Sequence, residues 1–396
     1  MSKMTNAALE FRNIDILFDR SGRRGAIEAA LARLDAGETR EEISRALKVT
    51  VGVAGANLAV ARGEISVLMG LSGSGKSTLL RAANRLNQPV RGEVRIGNGS
   101  AWLDIARCDD DTLRALRKTR IAMVFQQFGL LPWRSVRDNV GFGLELRDMA
   151  PSIRKEIVEE KLELVGLSNW ADARVHELSG GMQQRVGLAR AFATDADILL
   201  MDEPFSALDP LIRRKLQDEL MDLQKRLKKT ILFVSHDIDE ALKIGSHITI
   251  MREGRIIQTG TPDDIALRPV NDYVAEFIRH MNPLPTLLAS TFMRHTQDLP
   301  LRPDGMLDGG TLALSPEGRV VHIAGQERVL RAFQEWEQGA VCVVPAKMSL
   351  GEVIALRQRS GFPVLVEDEG ALVGVCDDAD ILQALSGERR YGVPVL

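Results

Sequence analysis

The chain has 396 residues, more than one hydrophobic core usually organises, so two or three domains are predicted. Its 51 Lys and Arg nearly balance its 54 Asp and Glu, giving a net charge of -3, which argues against nucleic acid as a partner. With no run of 18 apolar residues, no secretion-signal pattern and only three scattered cysteines, we expect a soluble protein of the reducing cytosol. Any membrane role would therefore come through a partner.

The N-terminal part of the chain combines predicted strands with a helical insertion. Residues 11–18 and 51–60 are the predicted strands, and the insertion occupies residues 21–50 between them. Thr39 and Glu42 form the capping box of the second helix of the insertion.

Further along, apolar strands alternate with helices. Residues 64–69 form a short apolar strand that leads into a glycine-rich turn and a helix at 77–86. Residues 198–201 and 231–235 are continuous apolar strands, as expected in a parallel sheet covered on both faces. A helical subdomain is predicted at about residues 127–195, so the fold class is α/β with a largely parallel sheet.

The glycine-rich turn fits the G-x-x-x-x-G-K-[ST] phosphate loop. Its glycines let backbone N–H groups converge on phosphates, and the helix after it points its positive end at them. A glycine-rich turn with a chance lysine is the alternative, but the strand before and the helix after the motif argue against it. The predicted nucleotide-binding residues here are Gly70, Ser72, Gly73, Ser74, Gly75, Lys76, Ser77 and Thr78.

Two adjacent acids, Asp202 and Glu203, end the strand that starts at residue 198. Because side chains alternate along a strand, the two carboxylates face different ways. Asp202 suits Mg²⁺, together with the Ser77 hydroxyl, and Glu203 is free to polarise an attacking water. Alone, a solvated strand end would explain the acids equally well. Even with its acids, a phosphate loop fits kinases of small molecules, GTPases, helicases and motor proteins.

The stretch Leu178-Ser179-Gly180-Gly181-Met182-Gln183-Gln184 resembles the signature motif of ATP-binding-cassette (ABC) ATPases. The spacing agrees as well, because Ser179 lies 23 residues before Asp202. A Ser-Gly-Gly helix cap alone would be unremarkable, and the combination of motifs makes the resemblance specific.

Other motifs resemble the same family. Gln126 resembles the Q-loop glutamine that senses Mg²⁺ and water, and residues 206–209, ending in Asp209, resemble the D-loop. His236, 34 residues after Asp202, resembles the switch histidine. Phe18 is the expected adenine-stacking aromatic, with Phe11 as its competitor.

The resemblance covers about residues 11–275 and implies the P-loop fold of an ABC nucleotide-binding domain with a helical subdomain. It implies ATP and Mg²⁺ as cofactors, with Ser77, Gln126 and Asp202 at the metal. The implied catalytic residues are Glu203, His236 and Gln126. It also implies a head-to-tail homodimer, in which each ATP lies between the phosphate loop of one subunit and the signature of the other. The implied contacts from that other subunit and its D-loop are Ser179, Gly180, Gly181, Gln183 and Asp209.

Finer features resemble the subgroup that imports quaternary amines, namely the insertion and the stretches at 69–75 and 128–139. They imply the ATP-hydrolysing subunit of an importer for choline or glycine betaine. It would lie peripherally on the cytoplasmic side of the plasma membrane, beneath separate permease subunits and indirectly served by a substrate-binding protein. Met-Asn-Pro-Leu at 281–284 tilts the expectation slightly towards choline. An importer of another small solute such as an amino acid, a cassette ATPase outside transport and a phosphate-loop kinase are the alternatives.

The composition changes near residue 280, so the ABC domain is predicted at 1–280 and a Pro- and Gly-rich linker at 281–310. Residues 311–396 resemble a small α+β regulatory domain of CBS type with a degenerate first half. In nucleotide-binding CBS halves a Ser or Thr precedes the ribose-binding Asp by three residues, whereas here Asp377 precedes Asp380. A carboxylate there would repel phosphate. Six acids of the tail are expected to form a negative surface: Glu367, Asp368, Glu369, Asp377, Asp378 and Asp380. Arg389 and Arg390 are basic residues that could contact a membrane.

Overall fold

The structure is a computed structural model, and it describes residues 6–98, 101–206, 208–279, 284, 287–315, 318 and 320–386. The chain divides into two compact units, Met1–Phe277 and Ile278–Leu396. The strands of the first unit are β1 (Ala7–Asp19), β2 (Val49–Ala61), β3 (Ile65–Met69), β4 (Arg91–Asn98), β5 (Ala101–Asp104), β6 (Ile121–Val124), β7 (Ile198–Asp202), β8 (Thr230–Val234), β9 (His247–Arg252) and β10 (Arg255–Gly260). Its helices are α1 (Ala26–Asp35), α2 (Arg40–Leu47), α3 (Lys76–Ala82), α4 (Asp110–Thr119), α5 (Val136–Glu145), α6 (Pro151–Leu164), α7 (Gly180–Ala193), α8 (Pro210–Leu227), α9 (Ile238–Ile244), α10 (Pro262–Leu267) and α11 (Asp272–Ile278), the last of which ends one residue beyond the division.

The main sheet of the first unit has the strand order β10-β9-β3-β8-β7-β6. Strands β9, β3, β8, β7 and β6 are parallel, and β10 is an antiparallel edge. Strands β3, β7 and β8 are buried along their whole length, as a sheet covered on both faces requires. The predicted α/β fold is therefore confirmed. Because the carboxyl ends of parallel strands share one edge, the segments after β3, β6, β7 and β8 gather there.

The insertion packs onto a second, antiparallel sheet with the order β2-β1-β4-β5. Helices α1 and α2 bury a small cluster against β1 and β2, in which Ile43 of α2 is fully buried. The predicted capping box is present, because the Thr39 hydroxyl accepts the Glu42 N–H and the Glu42 carboxylate accepts the Thr39 N–H. The insertion is therefore a packed element with its own core.

Helices α5, α6 and α7 form a helical lobe around their own apolar cluster. The buried Asn139 of α5 organises the segment before that helix: its side-chain oxygen accepts the Leu131 N–H at 2.7 Å and its amide donates to the Leu131 carbonyl at 3.1 Å. Trp133 in that segment is 70% exposed.

Among the described residues, no helix is both long and apolar enough to cross a bilayer.

The second unit contains two sheets, with the orders β11-β19-β18-β17-β16 and β12-β13-β14-β15. The second of these is an antiparallel meander. The strands are β11 (Arg294–His295), β12 (Leu307–Asp308), β13 (Leu312–Leu314), β14 (Val321–Ile323), β15 (Gln326–Arg328), β16 (Leu330–Ala332), β17 (Val341–Pro345), β18 (Val364–Asp368) and β19 (Ala371–Cys376). The helices are α12 (Ala289–Phe292), α13 (Leu350–Ser360) and α14 (Asp378–Ser386).

The prediction of a linker at 281–310 is wrong for residues 287–310, which belong to the second unit. The Ala289 N–H donates to the Met348 carbonyl at 2.7 Å, and β11 pairs with β19. Prolines and glycines are common in linkers and in tight turns alike, and here Gly305 and Gly310 adopt positive φ angles in the turns around β12. Residues 281–283 and 285–286 of the expected linker lie outside the described residues.

The expected negative surface is wrong for two of its acids. Arg294 donates to Asp377 at 2.6 Å and to both carboxylate oxygens of Asp380 at 3.0 and 3.1 Å. Asp380 is 2% exposed, and desolvation raises its pKa. The two acids thus hold β11 against the start of α14. Arg389 and Arg390 lie outside the described residues.

The packing of the insertion makes a stability prediction. Replacing Ile43 by Ala removes a fully buried side chain, so the free energy of unfolding should fall by about 2–4 kcal/mol. Ile27→Ala in α1 is the control, because Ile27 is only partly buried in the same cluster and should cost about 1 kcal/mol. Urea unfolding of both variants checks this. Equal losses for the two would mean that α2 is not anchored through Ile43.

Candidate nucleotide-binding site

The phosphate loop joins β3 to α3 and is tightly enclosed by neighbouring backbone. Gly70 has φ +142° and Gly75 has φ +102°. A Cβ at Gly70 would collide with the Met251 carbonyl, and one at Gly75 would lie 2.5 Å from the Gly52 carbonyl. Only glycine can occupy these two positions, as the motif requires.

Lys76 is buried and folds back over this loop. Its ammonium donates to the Gly70 carbonyl at 2.8 Å and to the Leu71 carbonyl at 3.0 Å. Burial lowers the pKa of Lys76, and the charges of Glu203 and Asp202 act against this shift. The Ser74 N–H also donates to the Leu71 carbonyl, at 3.1 Å. The Lys76 ammonium and the Ser74 N–H therefore both donate to the Leu71 carbonyl.

The donor set of the loop fits a polyphosphate. The convergent N–H and ammonium groups currently satisfy backbone carbonyls, which are weaker acceptors than phosphate oxygens. The Ser74 hydroxyl is buried and has no hydrogen-bond partner in the described part of the chain. An anion lying in the loop would give these groups a charged acceptor.

Asp202, at the end of β7, is fully buried between two partners on α3. The Ser77 hydroxyl donates to one of its oxygens at 2.6 Å. Arg81 donates to the other through Nε at 3.2 Å and Nη2 at 3.0 Å. The sequence analysis missed Arg81, although it lies four residues after Ser77 and therefore on the same helical face. With a hydroxyl and a carboxylate side by side, Ser77 and Asp202 offer the oxygen ligands that Mg²⁺ prefers.

Glu203 follows Asp202, and the two other predicted catalytic residues contact its carboxylate. The Gln126 amide donates to its Oε2 at 3.1 Å, and the His236 Nδ1 lies 3.3 Å from the same oxygen. Glu203 has φ +48°, which is uncommon for a residue other than glycine. The structure thus brings Gln126, Glu203 and His236 together at the carboxyl edge of the sheet.

A buried network lies behind His236. Ser235 donates to one oxygen of Glu240 at 2.5 Å, and Gln217 donates to the other at 2.9 Å. Burial raises the pKa of Glu240. This network fixes the backbone that carries His236. Glu240 was not predicted from the sequence as a site residue, and it lies four residues after His236, in the helix that follows it.

The two candidate adenine-stacking residues lie in different environments. Phe11 is 1% exposed and belongs to the core, whereas Phe18 is 38% exposed. The Phe18 ring lies against Gly52 and the Thr78 methyl group, since a Cβ at Gly52 would be 2.8 Å from the ring and 3.0 Å from that methyl. Phe18 is therefore exposed next to the helix of the phosphate loop.

The signature and D-loop residues cap helices. Ser179 caps α7 by accepting the Met182 N–H at 3.3 Å, and Asp209 caps α8 by accepting two backbone N–H groups. The Gln183 amide donates to the carbonyls of Val175 and Leu178. Among the described residues, none of these three side chains is hydrogen-bonded to the phosphate loop. Ala207 of the D-loop lies outside the described residues.

Gln184 connects the signature helix α7 to Glu203, the residue after β7. The sequence analysis predicts no role for it. Its side chain is fully buried, and its amide donates to the Glu203 carbonyl at 3.3 Å. No sequence pattern distinguishes it from the neighbouring Gln183, because only the fold shows which glutamine faces β7.

Known proteins resemble the whole of this chain. A family model described as "ABC transporter" matches residues 53–206. The chain is 46% identical over 392 residues to the glycine betaine/proline betaine transport system ATP-binding protein ProV of Escherichia coli (strain K12), covering 98% of this chain and 92% of that protein. It is 47% identical over 378 residues to the glycine betaine transport ATP-binding protein OpuAA of Bacillus subtilis (strain 168), covering 91% and 90%.

A solved structure resembles about two thirds of this chain. It is the dimeric post-hydrolysis state of the ATP-binding cassette MJ0796 bound to ADP and Pi, with a TM-score of 0.55 and 29% identity. The match covers 64% of this chain and 98% of that one. The fold of this chain is thus similar to that of an ATP-binding cassette.

Proposed function

Because this chain belongs to the family of ATP-binding subunits of ABC transporters, we propose that it hydrolyses ATP to import a quaternary ammonium solute through a separate permease. The observation that carries the choice of solute is the similarity, along at least nine-tenths of the chain, to two proteins named for glycine betaine transport. We therefore favour glycine betaine. The slight preference for choline rested on 281–284, of which 281–283 lie outside the described residues.

ATP would bind along the carboxyl edge of the main sheet. The phosphate-loop N–H groups and Lys76 supply positive charge to the phosphates, and Phe18 offers its exposed ring to adenine. Ser77, Asp202 and Gln126 are the residues that would hold Mg²⁺. When bound, Mg²⁺ neutralises charge on the β- and γ-phosphate oxygens.

Glu203 is the proposed general base for the attacking water. Its carboxylate lies in the same edge as the phosphate loop, and Gln126 and His236 both reach its Oε2. A carboxylate held in this way can accept a proton from water or orient it. Gln126 and His236 would keep the carboxylate aligned until the phosphates are in place.

The role of Glu203 is tested by Glu203→Gln, which keeps the shape but removes the base. ATP turnover should fall by about 100-fold or more, while ATP binding stays within about twofold. Glu253→Gln is a matched control, since Glu253 also has a positive φ but lies at an exposed turn. Steady-state ATPase assays and ATP titration measure the two effects. Near-normal hydrolysis by Glu203→Gln would remove this residue from the mechanism.

A second copy of the chain is the proposed source of the remaining ATP contacts. Ser179, at the start of the 14-residue helix α7, is not bonded to the phosphate loop of its own chain in the described residues, and a Cβ at Gly180 would meet open space. An exposed helix N-terminus with a hydroxyl suits a phosphate oxygen. The similar cassette MJ0796 is described as dimeric. We therefore propose a head-to-tail homodimer with Ser179, Gly180, Gly181 and Asp209 at the shared site.

Mixing two inactive variants tests this arrangement. Ser179→Arg blocks the signature and Lys76→Ala blocks the phosphate loop, so each variant alone should hydrolyse little ATP. A heterodimer of the two retains one intact pair, with Lys76 from one chain and Ser179 from the other, and activity should reappear on mixing. Ser168→Arg, at an exposed 3₁₀ turn of the same lobe, should remain active alone. A mixture no more active than its parents would contradict the shared site.

The exposed segment around Trp133 is the proposed permease contact. Trp133 presents its ring to solvent while its carbonyl accepts from Arg174 at 2.5 Å and Asn139 fixes the neighbouring backbone. Tryptophan is enriched among the residues that contribute most to protein–protein binding, and here hydrogen bonds hold the backbone that presents it. The segment follows Gln126 closely in the chain, so docking there can move the Gln126–Glu203 contact. We also propose that the chain lies on the cytoplasmic face of the membrane, with a substrate-binding protein on the other side.

Trp133→Ala should uncouple transport from ATP hydrolysis. We expect the ATPase rate of the chain alone to stay within about twofold, because Trp133 is exposed, and solute uptake with the permease to fall by about tenfold. Trp170→Ala, at a less exposed position of the same lobe, is the control and should leave uptake unchanged. If Trp133→Ala instead unfolds the chain or leaves uptake intact, the docking proposal fails.

The second unit is proposed to be a CBS-like regulatory domain. All the residues assigned to the ATP site lie in the first unit. The strand-helix pattern β17-α13-β18-β19-α14 supports the CBS-like description. Asp380 is at the position of the ribose-binding carboxylate, and here it is paired with Arg294. This pairing supports the proposal that the domain does not bind a nucleotide.

Removing the second unit should preserve ATP hydrolysis and weaken the response of transport to ionic strength. A chain that ends at residue 279 keeps α11 whole and should hydrolyse ATP at a rate within about threefold of the full chain. Reconstituted with the permease, it should show a flatter response of transport to ionic strength, because exposed charges interact over a Debye length of about 8 Å at physiological salt. An unchanged salt response would reduce the unit to a structural or dimerisation role.

A further inference from the structure

An arginine from the helical insertion reaches the phosphate loop. Arg40 is the first residue of α2, and its Nη1 donates to the carbonyl of Gly73 at 2.8 Å. The insertion separates β1 from β2, so this contact brings an element outside the sheet onto the candidate ATP site. None of the functions assigned above to the phosphate loop uses Arg40.

Arg40 is held in place by the packing of its helix. Its preceding residue, Thr39, closes the capping box with Glu42, which fixes the backbone of the first turn. One turn on, Ile43 is fully buried in the insertion cluster against β1 and β2. The guanidinium therefore approaches Gly73 from a rigid base, and the contact needs little further ordering of the chain.

The Gly73 carbonyl belongs to the same peptide unit as the Ser74 N–H. In a trans peptide the C=O and the N–H point in opposite directions. Arg40 holds the carbonyl on one side, so the Ser74 N–H is turned to the other, where it donates to the Leu71 carbonyl beside the Lys76 ammonium. Gly73 has φ +76° and no side chain, which makes this peptide easy to rotate unless something fixes it.

We propose that Arg40 is a positioning residue for the nucleotide phosphates: it locks the Gly73–Ser74 peptide so that the Ser74 N–H faces a bound polyphosphate. Its positive charge adds to the attraction for the phosphates. The proposal rests on the proposed ATP site. It assigns the insertion a role in nucleotide affinity and makes no claim on the chemical step.

Arg40→Gln in the full chain tests this, with Arg45→Gln as the matched control on an exposed position of the same helix. A non-hydrolysable ATP analogue, ADP and adenosine are titrated by calorimetry. For Arg40→Gln, the Kd of the analogue and of ADP should rise about tenfold, and that of adenosine, which lacks phosphates, should stay within about twofold. Arg40→Lys, which keeps the charge and a donor, should recover most of the loss. The ATPase kcat at saturating ATP should change by less than about twofold, while KM rises.

A purely structural role for Arg40 predicts a different pattern, in which all three ligands weaken together and the melting temperature drops. That result would overturn the proposal, as would a Kd for the analogue equal to that of Arg45→Gln. If the wild-type chain itself fails to bind the analogue, the proposed ATP site is at fault and not the role of Arg40.

Discussion

The site depends on a carboxylate with no access to water. Asp202 is fully buried, and a buried charge is stable only when it is paired and hydrogen-bonded. Its partners, Ser77 and Arg81, are on the helix of the phosphate loop, 125 and 121 residues away in the chain. This contact fixes α3 against the end of β7, so the loop, the proposed metal ligands and Glu203 share one edge of the sheet. Breaking it would leave an unpaired charge inside the core as well as a disordered site.

Glu203, next to that carboxylate, is where the outer elements of the first unit converge. Gln126, which donates to the Glu203 carboxylate, lies just before the segment around Trp133 in the chain. Gln184, which donates to the Glu203 carbonyl, belongs to the signature helix α7. His236 reaches it from the far end of β8. A permease at Trp133 and a second subunit at Ser179 would therefore both act on the same residue. This arrangement gives a direct physical route by which docking and dimerisation could control hydrolysis.

The sequence was informative where the determinants are local. The phosphate loop, the capping box at Thr39 and the buried strands follow from spacing and periodicity within a few residues. The contacts that sequence analysis missed join distant segments: Arg81 to Asp202, and Arg294 to Asp377 at a separation of 83 residues. No local pattern marks such partners, and the turns around β12 resemble a linker because both use proline and glycine. The expected acidic surface is wrong for Asp377 and Asp380 for the same reason, since the arginine that pairs with them lies far upstream.

ATP hydrolysis at this edge of the sheet is proposed to drive the import of a quaternary ammonium solute. Vesicles that contain the chain with its permease and binding protein, with ATP on the side of this chain, test it most directly through uptake of labelled glycine betaine. We expect glycine betaine to accumulate with hydrolysable ATP and not with a non-hydrolysable analogue. Steady ATP hydrolysis without uptake, or ATP-driven uptake of an unrelated amino acid in place of glycine betaine, would contradict it.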